Sequence, residues 1–243
     1  MSKTPLENQF NSSGFKQMGS DDAFQFTCTN CCECCRNVRN AVMVEPLDLF
    51  RIAKYTYRSI EESVDEFTDP IVLTWGYPIL TMKTNSFMDT CVFLKNSRCS
   101  IHEANPRACR VYPLIAGPDE NDTNSIISFM DIKRNRSHFR GPTHRVKDWL
   151  EIYYTDEDRR FIRADYNFAG EFAKLSNRID KNREDQVMHL MLLYRYFMYD
   201  LDADFNSQFI RNMSVLKYEL KKYTPITARR MRNENFLYPY SFL

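Results

Sequence analysis

Apolar positions fall into two regimes along this chain. Up to about residue 140 they come in short runs broken by turn-forming residues; after Gly141-Pro142 they recur every three to four positions. That recurrence marks one face of an α-helix, and the second regime predicts four of them. The first runs from about Thr143 to Tyr153 and buries Val146, Trp149, Leu150 and Tyr153. The second starts at Thr155 with Asp158 in the capping position, and carries Phe161, Ala164, Phe168, Phe172, Leu175 and Ile179 at a/d spacing. The third, about 184–200, is apolar on most faces (Val187, Leu190, Met191, Leu193, Tyr194, Phe197). The fourth, about 204–222, carries Phe205, Phe209, Leu216 and Leu220.

The first regime reads differently. Residues 1–22 are polar and are expected to form a flexible tail. Asn40 to Glu45 is a short strand or turn. A helix should begin at Pro46, where a missing N–H is harmless, with Leu49, Phe50, Ala53 and Tyr57 on one side. A second follows Ser59, with Glu62 completing a capping box, and stops at Asp69-Pro70. Strands are expected at Ile79 to Lys83, Cys91 to Leu94 and Cys99 to Ile101, with a turn at Asn96-Ser97. Asn105 as N-cap and Pro106 as first residue should open a short helix through Val111, and Ile126 to Ile132 is a further strand. The expected fold class is α+β: a small cysteine-rich part of short strands and helices, then an all-helical half. The expected organisation is a tail over 1–22, a metal-binding domain over 23–140, a helical region over 141–223 packing on it, and a C-terminal tail over 224–243.

Composition narrows the function classes. The 243 residues carry 33 basic and 32 acidic side chains, net +1, which argues against a broad surface for nucleic acid or acidic lipid. With 6 glycines there is neither a G-x-G-x-x-G nor a G-x-x-x-x-G-K-[ST] string, so no phosphate cradle of those types. The first 22 residues lack the apolar stretch of a signal peptide, and Val187 to Tyr194 is too short to span a bilayer. The expectation is a cytoplasmic protein with no membrane contact, where thiols stay reduced and clustered cysteines are more often metal sites than disulfides.

Those cysteines are the chemistry the sequence advertises. All 8 precede residue 110. Five lie within eight residues, Cys28-Thr-Asn-Cys31-Cys32-Glu-Cys34-Cys35, and the others are Cys91, Cys99 and Cys109. Cys-x-x-Cys lets two sulfurs from one turn reach one soft or borderline cation. The run holds three overlapping pairs, 28/31, 31/34 and 32/35. A tetrahedral site needs four ligands, and one turn rarely offers more than three, so the distant cysteines are expected to close the sphere. Cys109, in the opening turn of its helix, is expected to have a lowered pKa. A lone His102 is more often a surface or core residue than a ligand. If Cys91 and Cys99 serve one centre on a simple hairpin, alternation of side chains requires an odd loop or a bulge; an even loop pairing Leu94 with Cys99 puts them on opposite faces.

The segment Cys28–Cys35 resembles the CxxCxxCC motif of the YkgJ-type family of zinc- or iron-chelating domains. Its second block is similar too: Cys91-Val-Phe93-Leu94, Cys99-Ser-Ile101-His102, and Pro106-Arg107-Ala-Cys109-Arg110-Val-Tyr112-Pro113. The resemblance covers about residues 24–114. It departs at Cys32, where the family usually has glycine, and at His102 and Asn105, where tyrosine and arginine are common. It implies metal ligation by Cys28, Cys31, Cys34, Cys35, Cys91, Cys99 and Cys109, with an iron–sulfur cluster or zinc as cofactor, and leaves catalytic residues unassigned. The implied function is metal binding, with a protein partner or protein substrate in prospect. A related group, the flagellin lysine-N-methylases, supplies the alternative: an iron–sulfur-dependent lysine N-methyltransferase using S-adenosylmethionine.

Overall fold

The computed structural model describes residues 15–29, 31–73, 77–85, 88–118, 126–131 and 138–224. The expected C-terminal tail past Thr224 lies outside them. Seven α-helices are described: α1 (Pro46–Thr56), α2 (Ile60–Phe67), α3 (Arg107–Arg110), α4 (Val146–Tyr153), α5 (Asp156–Ser176), α6 (Glu184–Leu192) and α7 (Phe205–Leu220). The strands form small antiparallel sheets, and the class is α+β, strand-rich first and helical afterwards.

Local signals set the helix starts. Pro46 opens α1. Ser59 accepts from the Glu62 N–H while the Glu62 side chain accepts from the Ser59 N–H, closing the box that begins α2. Thr155 and Asp158 do the same for α5. At α3 the expected cap fails: Pro106 occupies the N-cap position, and no side chain caps the helix. Asn105 instead ends a 3-10 turn over His102–Ala104. The third helical segment changes winding, since α6 passes into a π-helical turn over Leu193–Phe197.

Three strand assignments differ from expectation. Phe15–Met18, placed by its polarity in the tail, pairs with Ile126–Asp131, which also pairs with Leu114–Pro118. Met18 is buried there, so one apolar side chain anchors the strand. The helix α2 stops at Phe67, just before Asp69-Pro70 as expected, but Asp69-Pro70 itself lies within the edge strand Thr68–Val72, against Pro78–Met82, where a missing N–H can face outward. Thr143–Arg145 is a strand on Ala23–Gln25 rather than the start of α4.

One continuous core joins the two halves. Phe24, Phe26, Leu47, Phe50, Val111 and Leu114 of the first half pack with Trp149, Phe161, Phe172, Phe205, Phe209 and Leu216 of the second. A second cluster gathers Val44, Leu49, Ile52, Leu80, Phe93, Ile101 and Tyr196, and half-buried Cys91 and Cys99 pack against it.

Candidate metal centre

The cysteine run leaves the strand Ala23–Gln25 and turns sharply. Glu33–Cys35 is a single 3-10 turn preceded by Cys32, whose φ of 61° is left-handed. A Cβ there is strained, and glycine is the residue that adopts it without penalty. This gives a backbone reason for a glycine at that position and shows what replacing it does. The Cys32 side chain is buried and its thiol donates to the Ser97 carbonyl at 2.9 Å.

Cys91 and Cys99 arrive by a route the hairpin reasoning did not foresee. Asn96 and Ser97 both have positive φ, 49° and 56°, as a two-residue type I′ turn requires. The register is therefore even, with Leu94 opposite Cys99, the pairing that should separate the two sulfurs. The ladder does not extend back to Cys91, however. The chain turns at Val92-Phe93, and Cys91 pairs with Thr84 in a separate ladder. Alternation along one strand thus no longer relates the two cysteines.

The thiols feel one another. Burial first, then Cys91, Cys34 and Cys99, push the Cys109 thiol well up from its ordinary range. Cys91 is pushed up to about 11 by burial, with Cys99 and Cys34 adding to it. Cys99 is raised by burial and by Cys34 and Cys32. Cys35 is raised mainly by its hydrogen bond with Cys34, then by burial and by Cys34, Cys91 and Cys109. Exposed Cys34 is common to all four, acting electrostatically on half-buried Cys35, Cys91, Cys99 and Cys109. The Cys34 and Cys35 sulfurs are 4.0 Å apart, near the roughly 3.8 Å between two sulfurs on one tetrahedral zinc. Cys28 and Cys31 are exposed, and the Cys31 sulfur lies 2.9 Å from His138 Nε2. His102 is exposed.

The expected lowering at Cys109 is overturned. Its helix is a single turn, too short for a dipole to offset burial among other thiols. Mutual raising also bears on what these residues fit. Ionising several adjacent thiols is opposed by desolvation and by their own repulsion, and a bound soft or borderline cation removes both objections. Among the described residues no three His, Cys, Asp or Glu side chains stand together at metal-binding geometry; the thiols lie within electrostatic reach rather than in a closed cage.

What holds this arrangement is a set of buried charges that sequence reasoning did not pick out. Arg107, 4% exposed, grips Glu45 with both Nε (2.8 Å) and Nη2 (3.0 Å), donates to the Ala116 carbonyl, and its backbone N–H donates to Asp48 Oδ1 (2.8 Å). Arg110 donates to Asp158 Oδ1 at 2.8 Å, and Arg51 donates to the same oxygen at 2.6 Å. Burial alone would raise Asp158; Arg110 and Arg51 outweigh it and hold the carboxyl below its ordinary value. The turn bearing Cys109 is thereby fastened to α1 through Glu45 and Asp48, and to the start of α5 through Asp158. The one available signal was the charge-rich Pro106–Arg110 motif, since two arginines flanking a core cysteine need partners if buried.

Residues 27–132 match the CxxCxxCC family, described as a "putative zinc- or iron-chelating domain". No curated protein and no solved structure matches the chain. Among the described residues no helix is long and apolar enough to cross a membrane.

Proposed function

We propose that this chain, with its zinc- or iron-chelating domain, is a metal-binding protein whose cysteine cluster holds an iron–sulfur cluster or zinc. Cys34, Cys35, Cys91, Cys99 and Cys109 form the inner ligand group, and Cys28 and Cys31 stand at its exposed edge. The observation carrying this reading is that four half-buried thiols from three separate segments lie within electrostatic reach of Cys34, the Cys35 sulfur 4.0 Å from it. Isolated structural cysteines have no reason to collect so; thiolate ligands do. Bound metal would supply the positive charge that lets these thiols ionise together and would tie the 3-10 turn to the Cys91–Cys99 segment. A reducing, cytoplasmic setting suits free thiols in this number.

The test is metal analysis and absorption of anaerobically purified protein, with Cys34→Ser beside wild type. Broad absorption near ~400 nm with iron and sulfide identifies a cluster; a colourless protein with stoichiometric zinc identifies a zinc site. Cys34→Ser should lose metal in either case. A wild-type protein that retains neither iron nor zinc after loading sinks the reading.

A further inference from the structure

The segment following the matched domain brings a histidine to the first cysteines. His138 is 4% exposed. Its carbonyl accepts from the Thr27 N–H at 3.0 Å, and its ring meets Phe26 edge-on, with centroids 6.0 Å apart. Gly141 makes this approach possible: its φ is +99°, and a Cβ there would come within 2.2 Å of Thr27 Oγ1, so no side chain is accommodated. Thr143–Arg145 then zips onto Ala23–Gln25. The backbone leading into Cys28 is thus fixed against residues 138–145.

The ring directs its polarity one way. Nε2 lies 2.9 Å from Cys31 Sγ and 2.9 Å from Thr29 Oγ1. Nδ1 is buried with no hydrogen-bond partner among the described residues. A buried imidazole that serves only packing usually satisfies its nitrogens on backbone groups. This one presents its single engaged nitrogen to a thiol of the cysteine run and to the Thr29 hydroxyl beside it.

We propose that His138 is a ligand of the metal centre, supplying a nitrogen donor beside Cys31. The inference rests on the metal-binding reading above and adds a residue that lies beyond the matched domain, 107 positions from Cys31. Imidazole and thiolate together suit zinc and iron. With metal–nitrogen and metal–sulfur bonds near 2.0–2.1 and 2.3 Å, a tetrahedral ion holds N and S roughly 3.5 Å apart. Retreat of the exposed Cys31 side chain by about half an ångström from its 2.9 Å contact opens that space. Seven cysteines other than Cys32, plus this histidine, make eight donors, enough for two four-coordinate centres.

X-ray absorption at the edge of the bound metal, on the full chain loaded with zinc or iron, tests this. Wild type should show a mixed nitrogen–sulfur shell. His138→Ala should lose the nitrogen contribution and bind less metal, and His138→Cys should recover metal content with sulfur in place of nitrogen. Circular dichroism identifies variants that fail to fold; should His138→Ala be one, the exchange of nitrogen for sulfur in His138→Cys decides the matter. A sulfur-only shell in wild type, or an unchanged nitrogen contribution in a folded His138 variant, overturns this proposal and leaves metal binding standing. Wild type that takes up no metal overturns both.

Discussion

The helical half and the cysteine half solve the same burial problem mostly with different materials, although the helical half also buries the Asp165–Arg195 ion pair. In the helical half, Phe161, Phe168, Phe172, Phe205, Phe209, Leu216 and Leu220 are all at most 1% exposed. Some of their rings meet edge to face, as Phe161 and Phe209 do at 5.0 Å, and others stack, as Phe205 and Phe209 do at 5.8 Å, geometries that add to area burial. Around the cysteines the ladders are two residues long, backbones are left-handed at Cys32, Asn96 and Ser97, and the buried anchors are Glu45, Asp48 and Arg107. Apolar packing is non-directional and tolerates partial loss. A buried ion-pair network depends on every member, because removing one partner strands the other in low dielectric. The two halves should therefore fail differently.

The largest effect is expected from Arg107→Ala. It strands Glu45 and frees the turn carrying Cys109, so unfolding stability should fall by about 3–5 kcal/mol and metal content should fall with it. Urea denaturation and metal analysis of the same preparation check both. A variant that retains full metal would separate the network from the site and break the comparison.

Phe209→Ala should lose a similar amount, roughly 3–5 kcal/mol, by opening a cavity in the aromatic cluster. Metal content of the folded fraction should stay at the wild-type level. Loss of metal here would show that the helical half shapes the site directly.

A smaller, pH-dependent effect is expected at Asp48. Burial and then the adjacent Glu45 push its carboxyl up to about 7. Between about pH 4 and 7 the folded chain therefore holds a proton that the unfolded chain has released, and stability falls as pH rises through that window. Asp48→Asn cannot release a proton, so its stability should decline less steeply there, by up to about 1.4 kcal/mol per pH unit. Urea midpoints at pH 5 and 7 for both proteins give the difference; parallel slopes would count against an Asp48 held protonated.

The smallest effect should come from Cys32→Gly. Glycine relieves the left-handed strain at φ 61°, while the contact with Ser97 and some burial are lost. The two are similar in size, so stability should stay within about 1 kcal/mol of wild type, with metal stoichiometry unchanged. Loss of a whole metal equivalent would make Cys32 a ligand.

Features set within a few residues were legible in the sequence. Pro46, the Ser59–Glu62 and Thr155–Asp158 boxes and the helical repeat of aromatics act over at most a turn or two of chain, so residue type and spacing suffice to read them. The clustering of thiols and the departure at Cys32 were readable for the same reason, and the left-handed backbone at Cys32 now explains why glycine belongs there. Tertiary structure alone decided the rest: that Cys91 leaves the hairpin to pair with Thr84, that Cys109 has a raised rather than lowered pKa, and that Arg107 meets Glu45 across 62 positions. It also decided that His138 reaches Cys31 across 107. A charged or imidazole side chain carries no local mark of burial, because most such residues are solvated. Its partner is chosen by which backbone segments the core brings together, and that choice is made by the whole chain at once.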